Sequence, residues 1–172
     1  MNKTSEYDQD VVDAKDKEWN NLLENDVFEV VAENGQSCIS TRWVMTEKGE
    51  GADRRLKARL VARGFEETGN IGRTDSPTCS KLSLRLCLTT APTMGWEVNS
   101  IDVTSAFLQG GAIEREVYLE PPIEYKEEGK IWRLKRCIYG LADAPRAWYE
   151  KVAAELIQLG AKLSQFDSAL FF

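Results

Sequence analysis

The chain has 172 residues, 42% of them hydrophobic and 29% charged, globular values that fit one ordinary domain or a domain and part of another. With 22 basic and 28 acidic residues the net charge is −6, and no histidine is present. The charge total argues against a nucleic-acid binder, and the missing histidine excludes Ser-His or Cys-His nucleophile pairs and histidine-containing zinc sites. Charge is segregated, however. The first 33 residues hold ten acids against Lys3, Lys15 and Lys17, whereas residues 42–63 hold seven bases against Glu47, Glu50 and Asp53. Cys38, Cys79, Cys87 and Cys137 lack C-x-x-C spacing, and a zinc site would need all four, so they read as reduced core thiols of an intracellular protein. With no apolar leader and no run of membrane-spanning length, the expected location is the cytoplasm or nucleus, with no signal peptide, transmembrane segment or membrane partner.

In chain order, residues 10–25 (DVVDAKDKEWNNLLEN) place Val12, Trp19, Leu22 and Leu23 on one face of an amphipathic helix. Residues 27–31 predict a strand, Asn34-Gly35 a hairpin turn, residues 38–48 a second strand and residues 54–62 a third, together a small antiparallel sheet. In the third strand Arg55, Lys57, Arg59 and Val61 alternate with Leu56, Ala58, Leu60 and Ala62. On spacing alone this basic row reads first as the solvated face of an edge strand, and second as a phosphate-binding row with Lys48 delivered nearby. Residues 64–80 form a long connection. Ser80 caps a helix with a stripe of Leu84, Cys87, Leu88 and Ala91, stopped by Pro92 and Gly95.

Residues 96–110 (WEVNSIDVTSAFLQG) alternate like a strand into a lone acid, Asp102, then break into a small-residue turn. A carboxylate at the end of a buried strand is costly unless a cationic group or a metal sits on it, which makes Asp102 the first candidate for a site. Strands are expected at residues 116–120 and 131–134, separated by a charged loop. Pro145 suits the first turn of a helix whose stripe is Trp148, Val152, Leu156 and Leu159, capped by Gly160. Residues 166–172 read as the start of a strand, which suggests a cut-out piece of a longer protein.

Several blocks, in order and spacing, resemble the reverse transcriptase of copia-type retrotransposons. They are Trp19 with VFEVV (27–31), Arg42-Trp43-Val44 with Lys48, LKARLVARGF (56–65), IDVTSAFLQG (101–110), VYLEPP (117–122) and IYGLADAPRAWY (138–149). The resemblance implies an α+β fingers-and-palm polymerase fold, about residues 1–95 fingers-like and about 96–172 partial palm, an incomplete domain over residues 1–172. The implied chemistry is RNA-directed DNA polymerisation, nucleotidyl transfer from deoxynucleoside triphosphates on an RNA or DNA template with primer, assisted by two Mg2+ ions.

Carried over by position, Asp102 matches the catalytic, metal-binding aspartate and Val103 supplies a carbonyl ligand to the metal. Phe107 matches the aromatic residue under the incoming sugar, with an ordinary core role left open. Lys48, Lys57 and Arg59 fall where the fingers grip the triphosphate, which reverses the ranking of the basic row and leaves open whether Lys57 or Arg59 leads. Gly140 and Pro145 match the segment packed under the template base and nucleotide.

The chain departs from the family at Asp143, where Gln is usual, and at Pro92, which interrupts a helix. It also lacks the Tyr-Val-Asp-Asp hairpin that carries the family's other two catalytic aspartates, so the fold is expected to be truncated before it. The expected function is therefore a polymerase fragment of a transposable-element polyprotein, inactive as an isolated chain. The alternative is a decayed or co-opted relic with at most weak, salt-dependent nucleic-acid binding.

Overall fold

A computed structural model of the chain describes residues 3–69 and 71–172, apart from the side chains of residues 3–7 and Ala52. The protein mixes helices and strands. Helix α1 (Lys3–Glu24) leads into β1 (Phe28–Ala32), followed by β2 (Cys38–Ile39), β3 (Thr41–Lys48) and β4 (Arg55–Ala62). Then come α2 (Lys81–Met94), β5 (Tyr118–Leu119), β6 (Lys130–Leu134) and α3 (Ala144–Gln158). The connection predicted at residues 64–80 is irregular apart from a short turn at Gly64–Glu66, and its Asn70 lies outside the described residues.

The strands form two sheets. One has the order β1-β6-β5-β2, antiparallel except for the parallel β2–β5 pair, and the other is the β3–β4 hairpin. The expected hairpin between β1 and β2 does not form. Gly35 does turn the chain at φ +81°, but β1 pairs along all five residues with β6, from Phe28 opposite Leu134 to Ala32 opposite Lys130. The distant strand wins because it offers a long register and an aromatic partner, with Phe28 stacked 4.2 Å from Trp132, whereas β2 has two residues. The single strand expected over residues 38–48 is split at Ser40. Its backbone N–H and its hydroxyl both donate to the Glu66 carboxylate at 2.8 Å, which replaces a ladder partner and holds that carboxyl below its usual range.

Helix α1 forms as expected but rotated. Its buried line is Ala14, Glu18 and Leu22, spaced i, i+4, i+8, while Val12 and Leu23 are exposed. Trp19 anchors it, stacking on Tyr125 at 4.0 Å and leaning on Phe28 and Trp132. The core behind it contains Leu22, Leu60, Leu108, Leu119 and Ile138.

Helix α2 is capped as read from sequence. The Ser80 side chain accepts from the Ser83 N–H, and Gly95 terminates it in the left-handed region at φ +68°. Pro92 lies inside the last turn rather than ending the helix. Its predicted stripe is formed but uncovered, because Leu84, Cys87 and Leu88 are exposed and only Ala91 is buried.

The strand expected before Asp102 is absent. Residues 96–103 have no regular structure and no strand partner, and Ile101 is 90% exposed. Alternation favours a β conformation, yet a strand exists only through a neighbour's hydrogen bonds, and no described strand lies alongside. Asp102 is accordingly an exposed acid, not a buried one. Residues 166–172 form a turn closed by a single Leu163–Phe171 bridge rather than a strand. Among the described residues, no helix is long and apolar enough to cross a membrane.

Candidate active site

The β3–β4 register sets Lys48 opposite Arg55 and Thr46 opposite Lys57, so the cations gather at the turn end of the hairpin. Ala58, Leu60 and Ala62 point the other way and are buried, which fixes the basic row on the outer face. Lys48, Arg55 and Lys57 line a cleft of about 780 Å³ together with Thr104 and Ser105, and α1 supplies the opposite wall with Asp13, Asp16 and Glu18. Flanking Arg54 and Arg63 are paired with Glu47 and Glu66. Among the described residues, Lys48, Arg55 and Lys57 have no ion pair.

Arg59 is committed differently. Its guanidinium carbon lies 5.7 Å from the centre of the Tyr139 ring, and its charge holds the phenol's pKa down against burial. Burial, followed by the nearby Glu18 carboxylate, pushes that phenol above its ordinary pKa. Phe107 meets the same ring edge-on, 5.3 Å between centroids and 65° between planes. Tyr139 thus joins the basic strand to the turn that carries Phe107.

Gly140 explains how these parts come so close. At φ +94° it lies where a Cβ would sit 2.1 Å from the Ala62 carbonyl oxygen, and a Cβ on Gly64 would sit 2.1 Å from the Gly140 oxygen. The Ala62 N–H donates to the Tyr139 carbonyl at 2.8 Å. Two glycines therefore let two backbones touch. Pro145 occupies the first turn of α3, where no N–H is needed.

Asp102 and Val103 stand apart from this junction. Both are exposed, and among the described residues the Asp102 carboxylate has no hydrogen bond or ion pair. Thr104 and Ser105, two and three residues further on, reach the cleft. A carboxylate and a carbonyl are oxygen donors suited to a hard divalent cation. Among the described residues, however, no group of three acids, cysteines or histidines could hold a metal ion, so the residues present do not make a complete two-ion site.

Asp143, at the position of the unusual acid, is held by Arg115 through two hydrogen bonds of 2.7 and 2.9 Å. The same guanidinium lies 2.7 Å from Glu67, whose side chain is 2% exposed and also accepts from the Ala142 N–H at 3.3 Å. Glu67 Oε2 is paired by charge without hydrogen-bond alignment. The Asp143 hydrogen bond, more than any other partner, raises the Arg115 pKa. Burial, with Asp143 adding to it, pushes the adjacent Cys137 thiol up to about 12, so it is no nucleophile.

Four residues of this region were not legible as site residues: Glu18, Asn21, Arg115 and Tyr139. Glu18 is 6% exposed with one carboxylate oxygen unpartnered, and burial is the largest influence raising its pKa. Its i, i+4 spacing between Ala14 and Leu22 was the signal that could have found it.

The chain matches the family model described as reverse transcriptase (RNA-dependent DNA polymerase) over residues 25–172. It is 35% identical, over 78% of its length, to the Retrovirus-related Pol polyprotein from transposon RE2 of Arabidopsis thaliana, covering 10% of that protein. The corresponding RE1 polyprotein of the same plant is 30% identical over 91% of the chain and 12% of its own length. That from transposon TNT 1-94 of Nicotiana tabacum is 35% identical over 80% of the chain and 11% of its own length. The chain thus spans about a tenth of the length of these curated relatives. No solved structure matches it. The matched segment carries the hairpin cations, the Phe107 turn and the Gly140 junction, and on these grounds the chain belongs to the reverse transcriptase (RNA-dependent DNA polymerase) family, as found in copia-type retrotransposon Pol polyproteins.

Proposed function

We propose that the chain is the fingers and part of the palm of an RNA-directed DNA polymerase, and that the cleft between the β3–β4 hairpin and Thr104–Ser105 receives the triphosphate of a deoxynucleotide. The observation that carries this reading is the trio Lys48, Arg55 and Lys57. In a chain of net charge −6 these three cations lie together on one wall of the cleft and make no ion pair among the described residues, with Asp13, Asp16 and Glu18 on the facing wall. Like charges held together repel, and a polyanion relieves them. Lys57 leads the grip, because Arg59 is engaged with Tyr139. Phe107, braced edge-on by Tyr139, supplies the surface under the sugar. Gly140 and Pro145 shape the segment beneath the nucleotide and template base.

In the assembled polymerase a primer 3′-hydroxyl attacks the α-phosphate in line and pyrophosphate leaves. The partners are template with primer and deoxynucleoside triphosphates. Asp102, with the Val103 carbonyl, contributes one carboxylate to the binding of Mg2+. Because no further acids join it among the described residues, the isolated chain binds nucleotide without polymerising it. The fingers correspond to about residues 1–95 and the palm portion to about residues 96–172.

Titration calorimetry with deoxythymidine triphosphate tests the binding claim. Lys57→Ala is expected to weaken binding about ten-fold, the loss of one charge-assisted contact, and Arg42→Ala to leave it unchanged. Equal affinity of wild type and Lys57→Ala would remove the cleft assignment. Primer extension on an RNA template tests inactivity: extension that Asp102→Asn abolishes would show the chain to be competent alone.

A further inference from the structure

Ser105 is the residue whose backbone asks for an explanation. It sits at φ 54°, ψ 37°, in the left-handed region, and among the described non-glycine residues it shares a positive φ only with Asp26. Asp adopts this region readily through its short carboxylate, and Asp26 lies two residues beyond the end of α1 with Lys135 bound to it at 2.7 Å. Serine has no comparable preference, so something outside the turn holds it there. The turn matters because Ser105 stands between Asp102 and Phe107, opens the 3-10 turn Ala106–Gln109, and accepts the Leu108 N–H on its carbonyl at 2.9 Å.

The holder is on α1. The Asn21 Nδ2 donates to the Ser105 hydroxyl at 2.8 Å and, more weakly at 3.4 Å, to Glu18. Asn25 Nδ2 donates to Asn21 Oδ1 at 3.0 Å, which fixes the amide so that its NH2 group faces Ser105 and Glu18. Glu18 Oε2, accepting from the same NH2 group, agrees with that orientation. The ring of Tyr139 braces Phe107, two residues beyond Ser105, edge-on at 5.3 Å between centroids. Residues 3–24, the whole of α1, precede the segment that matches the reverse transcriptase family.

We propose that Asn21 is a positioning residue of the nucleotide cleft: its amide, locked by Asn25 and Glu18, holds the left-handed turn at Ser105 that aims Phe107. Helix α1 is then part of the working site although it lies outside the matched family segment. The consequence for nucleotide binding rests on the cleft assignment above, whereas the turn itself does not.

Two measurements on the full chain separate the cases. Hydrogen exchange without nucleotide reads the turn directly. Asn21→Ala is expected to speed exchange of the Leu108 amide about ten-fold, the effect of losing one such hydrogen bond, while Val31 in the β1–β6 ladder stays protected. Adding Ser105→Gly, which enters φ 54° without a Cβ penalty, should return Leu108 exchange and deoxythymidine triphosphate affinity toward wild type. The midpoint of urea unfolding should not recover, because Glu18 remains without its donor. A purely structural asparagine would move stability and affinity together and would not be rescued by glycine. Unchanged Leu108 exchange in Asn21→Ala, or no rescue by Ser105→Gly, overturns the proposal. If wild type binds no nucleotide the cleft assignment falls, and the exchange arm still decides the role of Asn21.

Discussion

Two stretches of this chain carry equally clear local signals, and the fold treats them oppositely. Around Tyr139 every signal is consumed: Cys137, Ile138, Leu141 and Ala144 are buried, Gly140 presses on β4, and Asp143 is tied to Arg115. From α2 to Asp102 the local signals are just as good, with both caps formed, yet Leu84, Leu88 and Ile101 face outward. The same contrast separates two alternating segments. β4 has β3 beside it and becomes a strand, and residues 96–103 have no described neighbour and do not. Caps and periodicity decide whether an element forms, whereas burial depends on what else is present to cover it.

The sharpest way to break the packed side is Gly140→Ala. The new Cβ would meet the Ala62 carbonyl oxygen at 2.1 Å with φ at +94°, so backbone strain and a backbone clash combine. The expected loss is on the order of 4 kcal/mol in urea unfolding followed by circular dichroism. Gly35→Ala is the control: φ is +81° but nothing lies within 4 Å, and about 1 kcal/mol is expected. Similar losses in both would mean that β4 and the Tyr139 segment are not in contact.

Arg115→Met comes next. It leaves Glu67, 2% exposed, and Asp143 without their shared cation. Breaking a buried pair costs roughly 3–5 kcal/mol, and the quarter exposure of Arg115 puts the expectation near the lower end, about 2–3 kcal/mol. Adding Asp143→Gln, which removes one of the orphaned charges, should recover part of it. No recovery would show that the pair does not couple.

The helices, β1, β4, β6 and the caps were legible because their causes are local: spacing, Ser80, Gly95, Pro145. The β1–β6 pairing was not, since the Asn34-Gly35 turn favours β2 and nothing in either strand announces a partner a hundred residues away. At the site, Arg55, Lys57 and Arg59 were legible as a row with Lys48 on the neighbouring strand, and the cleft shared by Lys48, Arg55 and Lys57 became visible only with the register. Asn21 and Arg115 were not, because a hydrogen bond between distant segments leaves no periodic trace. Asp102 is exposed rather than buried, because alternation implies a sheet that the described residues do not contain.

Glu18 gives a smaller, pH-dependent effect. Its pKa is raised in the fold, chiefly by burial, so the folded state binds the proton more tightly than the unfolded chain. Its contribution is fully favourable below the unfolded value and is lost as pH rises through the raised folded one. Lys57 and Arg59 oppose this from β4, and Asn21 from its own helix, without reversing the direction. Glu18→Gln should therefore gain unfolding midpoint over wild type as pH is raised from 4 to 7. A gap independent of pH would mean that the carboxyl is solvated.

Leu84→Gln should do least, and it tests the open side most directly. The leucine is exposed on α2, glutamine is nearly as good a helix former, and neither cap is touched, so a change within about 0.5 kcal/mol is expected. Leu60→Ala, from a residue 1% exposed in the core, should cost about 2–5 kcal/mol in the same assay. The comparison fails if Leu84→Gln costs as much as Leu60→Ala, for the α2 face would then be covered in solution. Repeating the unfolding at several protein concentrations identifies the cover: a concentration-dependent midpoint means a second copy, and a constant one means that the chain folds α2 against itself.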